Sequence, residues 1–141
     1  MKKIINILVS VLFFWFTLDI LGMKIGNFYL VESAIKDEPI DIIWWVIFVI
    51  CFIIFIVKDK VGKYILISFV SIWGLIQYSM YFKSAKRIED YNNYFKKTHH
   101  IISSSNNFLI KDTYHIFLDL FIFIVSISLV IFIIKSKRSQ N

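Results

Sequence analysis

Three histidines and two aspartates crowd one segment of this chain: His99, His100, Asp112, His115 and Asp119. Asp112, His115 and Asp119 stand at i, i+3 and i+7, and Ile122 and Ser126 continue the same line, so on a helix they share one face. Imidazole and carboxylate together suit Zn²⁺ or another divalent transition metal. A His–Asp pair beside a water-filled vestibule suits proton or cation passage, with Asp119 as the coupling carboxylate. Ser103, Ser104 and Ser105 with His99 or His100 and Asp112 have the composition of a nucleophile triad, but no G-x-S-x-G turn accompanies them and a triad is defined by geometry. The same residues also have plain structural uses. Asp112 can cap the helix that follows, His115 can sit at an interface, and Asp119 can accept from Tyr78 or Tyr81 and fix helix packing.

The elements that must position these groups are four apolar stretches. Ile42 to Val57 carries no polar side chain, Tyr64 to Phe82 carries no charge, and Ile4 to Leu18 and Leu120 to Ile134 are nearly as apolar. A hydrocarbon core about 30 Å thick is crossed by roughly 20 such residues in helix. The expected fold is all-α: an integral membrane four-helix bundle forming a single transmembrane domain. Its spans fall at about 4–23, 41–57, 64–82 and 115–134, with longer linkers at about 24–40 and 83–114. A mean hydropathy of +0.71 agrees with this reading. The net charge of +6 does not indicate nucleic acid, because the basic residues flank the spans where topology and anionic lipid favour them. Cys51 is the one cysteine, which excludes an intramolecular disulfide and C-x-x-C redox chemistry. No small-residue cleavage pattern follows the first apolar run, so it reads as an uncleaved span.

Basic density sets the expected orientation. Residues 1–3, 58–63 and 135–141 hold as many Lys and Arg as the two much longer linkers, which places both termini in the cytoplasm. Asp19 and Asp119 then lie near the outer ends of their spans. Asn6, Ser10, Phe13 and Thr17 form a stripe on span one, and Ser68, Ser71, Leu75 and Ser79 form one on span three; both are expected to pack inward, as small and polar residues do between membrane helices. Asp19 lies far around span one from the first stripe and is expected at the outer interface or against another chain. Gln77 lies opposite the second stripe and needs its own partner. Gly22 and Gly26 match G-x-x-x-G but enclose Lys24, so they read as loop. Asp37-Glu38-Pro39 suits the start of span two. Lys83 to Phe95 can be helical, with Ala85, Ile88, Tyr91 and Phe95 as its apolar side, and Ser103 to Asn107 breaks regular structure.

Three function classes are compatible with these residues. The first is a small non-enzymatic integral membrane protein that binds a membrane-protein partner or membrane lipid, of accessory, regulatory or immunity type; no catalytic motif opposes it. The second is a small ion- or proton-coupled transporter or channel, alone or as a homo-oligomer, using Asp119. The four short spans resemble the small multidrug-resistance transporters in number and size, although span one lacks a mid-membrane glutamate and the chain has only four glycines. The third is a membrane enzyme with a metal at the outer face held by His99, His100, His115 and Asp119. The expected location is the bacterial cytoplasmic membrane, since abundant Ile, Lys and Asn accompany AT-rich genomes.

Overall fold

The computed structural model describes residues 1–37, 39–82, 84–103, 105 and 107–138. Glu38, Lys83, Ser104, Asn106 and residues 139–141 lie outside the described residues, and with them parts of the expected span-two start, the serine run and the basic tail.

Four long helices dominate: α1 (Lys2–Leu21), α3 (Pro39–Val57), α4 (Asp59–Ser79) and α6 (Thr113–Arg138). All four are long and apolar enough to cross a membrane, α4 together with the 3-10 turn Met80–Phe82 that extends it. They pack in a ring in which α1 touches α3 and α6, and α4 touches α3 and α6. Consecutive spans are antiparallel. Lys2 reaches Asp59 at 3.4 Å and the buried Lys63 donates to Ser136 Oγ at 2.7 Å, so both termini and the α3–α4 connection share one end. We call this the terminal end, and the opposite one the linker end.

The basic connection expected at 58–63 is almost wholly helical, since α3 ends at Val57 and α4 begins at Asp59. Gly62 makes so abrupt a reversal possible. A Cβ there would lie 2.4 Å from Phe55 Cα and 2.7 Å from Ile54 O, so no side chain fits between the two helices.

The core is an aromatic stack inside the ring. Phe48 of α3 lies parallel to Phe69 of α4 at 5.7 Å, and Phe16 of α1 meets Trp73 of α4 at 4.5 Å. The buried line of α1 is Ile5, Val9, Leu12, Phe16 and Ile20, spaced for one helical face. The polar line beside it is only half-buried, and it is used for α3: Trp45 Nε1 donates to Thr17 Oγ1 at 3.0 Å. Trp15 and Tyr114 close the α1–α6 seam by stacking at 5.5 Å, each donating to the other's carbonyl at 3.2 Å.

The expected inward stripe of α4 is corrected. Ser68, Ser71, Leu75 and Ser79 are all exposed, and Gly62, Leu66, Phe69, Val70 and Trp73 face the core instead. Bulky aromatics fill this bundle better than small residues do, and the serines satisfy themselves locally: Ser68 Oγ donates to Tyr64 O and Ser79 Oγ to Ile76 O. The outer surface carries many large apolar side chains, among them Phe14, Val57, Leu75 and Phe123. Patches of that extent are covered by lipid or protein, not water.

The linker end is not purely helical, which refines the all-α expectation. Strands β1 (Met23–Ile25) and β2 (Phe28–Val31) form an antiparallel hairpin. Gly22 ends α1 at φ 75° and Gly26 turns the hairpin at φ 57°, left-handed conformations that glycine adopts freely. The G-x-x-x-G spacing is therefore a loop device. A short α2 (Ala34–Asp37) leads into α3. The second linker supplies α5 (Ala85–Tyr94), followed by the turn Phe95–Lys97. Its apolar side, Ile88 and Tyr91, is buried against Leu109 with Met80 and Phe95 alongside.

Candidate functional site

At the linker end, the loop before α6 is pinned first. His99 N–H donates to Tyr29 O of β2 at 2.7 Å, and Thr113 N–H donates to His99 O at 2.9 Å. This backbone clasp holds the hairpin, the loop and the first residue of α6 together. The His99 ring is exposed, lies 5.0 Å from Phe28 and places Nδ1 2.7 Å from Thr113 Oγ1. His100 turns back on its own strand of loop, with Nδ1 donating to Thr98 O at 2.8 Å. Neither histidine joins Asp112, His115 or Asp119. Ser105 serves the loop as well, accepting from Asn92 Nδ2 through its carbonyl and from Asn107 N–H through its hydroxyl.

Asp112 precedes α6 and is completely buried. Its Oδ1 accepts from Tyr91 Oη of α5 at 3.0 Å and lies 2.5 Å from His115 Nδ1. These carboxylate bonds tie α5 to α6 and replace the side-chain cap expected of the position, since among the described residues neither oxygen accepts from a backbone N–H of α6. Oδ2 is buried without a hydrogen-bond partner among the described residues. Burial, and then the Asp112 charge, push the Tyr91 phenol well above its ordinary range. His115 Nδ1 is turned to Asp112 while the ring lines the neighbouring cleft.

One turn deeper, Lys111 crosses to Asp119. Its Nζ lies 2.9 Å from Oδ2 and 3.1 Å from Oδ1, and it also donates to Gln77 Oε1 at 2.9 Å and Gln77 O at 3.2 Å. The ammonium stands 4.9 Å from the centre of the Tyr81 ring. Tyr81 Oη donates to Asp119 Oδ2 at 3.0 Å, the packing bond that the sequence suggested for this carboxylate. Gln77 finds here the partner it required. Burial lowers the Lys111 ammonium from its ordinary range, while Asp119 opposes that shift.

Tyr91 and His115 of the first network, and Lys111 and Gln77 of the second, line a cleft of about 500 Å³ between α4, α5 and α6, within the ordinary size of ligand sites. Its polar lining comes from Asp41, Arg87, Asp90, Lys111 and His115; Ile76, Met80 and Leu109 give an apolar side, and Tyr91, Tyr94 and Phe95 an aromatic one. A second groove of about 680 Å³ runs along the outside of α4 and α6 past Ser71, Gln77, Asp119 and Ser126. Asp19 lies apart from this cleft on α1 and is half-buried.

The predicted ladder thus splits. His115 and Asp112 are joined, and Asp119 belongs to a separate ion pair facing the end of α4. Among the described residues, no three His, Cys, Asp or Glu side chains converge closely enough to hold a metal ion. Sequence reasoning missed Lys111, Tyr91 and Arg87 as cleft residues. Lys111 and Asp119 are eight positions apart, outside the i, i+3 and i+4 spacings that betray a helical pair.

A family model described as "Protein of unknown function (DUF1295)" matches residues 28–141. Comparison with curated proteins and with solved structures gives no match.

Proposed function

The chain belongs to the DUF1295 family, and on that premise we propose that it is a small multi-pass membrane protein that holds a membrane amphiphile in the α4–α5–α6 cleft, acting as a binding or regulatory subunit. The observation that carries this reading is the lining of that cleft. Charged groups, a set of aromatic rings and an apolar side meet in one cavity, the combination an amphiphile with a polar head requires. The amphipathic α5 forms part of its wall, as an interfacial helix would. The orientation that suits the basic terminal end places the termini in the cytoplasm and the cleft at the outer interface.

Binding is favoured over ion passage because Lys111 already balances the Asp119 charge at 2.9 Å. A free coupling carboxylate would be the stronger sign of transport. The test is purification in a mild detergent followed by lipid extraction. Stoichiometric phospholipid is expected with the wild-type chain. Recovery of a lipid-free monomer overturns the reading, and recovery of a tightly held membrane protein instead of lipid redirects it to a protein partner.

A further inference from the structure

Resting on that reading, we infer that the cleft selects a phospholipid whose zwitterionic headgroup carries a primary ammonium beside its phosphate. The aromatic lining is continuous: Tyr91 lies 4.5 Å from Phe95, Tyr94 4.7 Å from Phe95, and Phe95 4.8 Å from His115. Ring faces attract cations. Two carboxylates, Asp41 and Asp90, line the same space. A third, Asp112, stands behind His115 with one buried oxygen unpaired among the described residues.

The cations of the cleft are accounted for differently. The Lys111 ammonium is spent on Asp119 and Gln77. That leaves Arg87, an exposed guanidinium that no hydrogen bond or ion pair holds among the described residues. One free guanidinium suits one phosphate, while the rings and carboxylates suit the positive end of the same headgroup. An anionic headgroup without an amine would meet the exposed Asp90 carboxylate unfavourably.

A carboxylate narrows the amine. Asp90, exposed on the cleft lining, offers two carboxylate oxygens as acceptors. A primary ammonium has three N–H donors to offer. A trimethylated nitrogen has none, so it would use the rings alone.

The test uses the full chain, delipidated in detergent and titrated with phosphatidylethanolamine, phosphatidylcholine and phosphatidylglycerol of identical acyl chains, with bound species resolved by native mass spectrometry. Phosphatidylethanolamine is expected to bind several-fold more tightly than either of the others. Equal retention of phosphatidylglycerol or of phosphatidylcholine overturns the headgroup assignment and leaves lipid binding standing. Retention of none of the three removes both. Exposed positions supply the variants. Tyr94→Leu is expected to weaken phosphatidylethanolamine by about two- to thirtyfold, the range of one cation–π contact. Asp90→Asn is expected to reduce its preference over phosphatidylglycerol by about two- to fivefold, and Arg87→Gln to weaken all three lipids together. An unchanged preference in both Tyr94→Leu and Asp90→Asn overturns the assignment even if wild-type binding is selective.

Discussion

Lys111 Nζ meets Asp119 with both carboxylate oxygens within 3.1 Å, yet the two side chains are buried unequally, 1% of Lys111 and 23% of Asp119 being exposed. Removing one partner of a buried pair strands the other's charge, so the inequality makes the two deletions unequal. Asp119→Asn leaves an enclosed ammonium with only Gln77 and is expected to cost about 3–5 kcal/mol. Lys111→Met leaves a carboxylate that still accepts from Tyr81 and reaches solvent or headgroups, at about 1–3 kcal/mol. Thermal unfolding in detergent of both variants and their combination checks this. The combined variant should lose less than the sum, and equal single losses would contradict the burial argument.

Tyr91 links stability to pH. Its folded-state pKa is raised above the ordinary 10.0 by burial and by Asp112. A raised pKa gives stability that is present below pH 10 and lost as pH climbs above it. Lys111 has the opposite sign: its lowered pKa makes the fold gain as pH rises toward 10.5. Tyr91→Phe keeps Lys111 and so isolates the phenol. At neutral pH the variant should lose about 1–3 kcal/mol, because Asp112 Oδ1 loses a donor in a buried site. Above pH 10 its melting temperature should fall less steeply than that of the wild type. Parallel curves would show that the phenol does not titrate as described.

Gly62 is expected to be intolerant of any side chain. A methyl group there would meet the backbone of Phe55 and Ile54 well inside contact distance, and backbone cannot rotate away as a side chain can. Gly62→Ala should destabilise by more than about 3 kcal/mol, at the severe end of overpacking. Gly74→Ala is the control, since its Cβ would meet only the Ile122 methyl at 3.2 Å, and it should cost far less. Comparable melting temperatures for the two variants would contradict the packing of α3 on α4.

The four long apolar helices were legible because a continuous apolar run satisfies its own backbone only as a helix, the form that hydrocarbon would demand. Their ends were less so. The start of α4 absorbs Asp59, Lys60 and Lys63, residues that read as connection, because Gly62 lets the helices turn within one residue. The facing of α4 was misread for a physical reason: serines on a membrane helix can satisfy themselves against the preceding turn, as Ser68 does with Tyr64 O, so they need no neighbouring helix. The shared face of Asp112, His115 and Asp119 was visible, but not which neighbours join: His115 goes back to Asp112 and not on to Asp119, which pairs with Lys111. Lys111 and Tyr91 were not visible, since each reaches its partner through a fold of the second linker that no local spacing records. His99 and His100 were drawn into the site by proximity in sequence, while the chain uses one to clasp β2 and turns the other back on Thr98.

Orientation rests on the basic terminal end. Replacing Asn27, in the exposed hairpin turn, by cysteine in a Cys51→Ala background should allow labelling by an impermeant maleimide in intact cells. The same reagent should reach a cysteine placed at Lys60 only after permeabilisation. The reverse pattern would invert the cleft to the cytoplasmic face.

If the α4–α5–α6 cleft seats a membrane amphiphile as proposed, narrowing its wall must expel that molecule. Native mass spectrometry of the wild-type chain and of Ile76→Trp, which enlarges an exposed residue of the cleft wall, tests it most directly. The account predicts one phospholipid adduct on the wild type and its loss from the variant at an unchanged melting temperature. Identical adducts on both chains, or none on either, would contradict it.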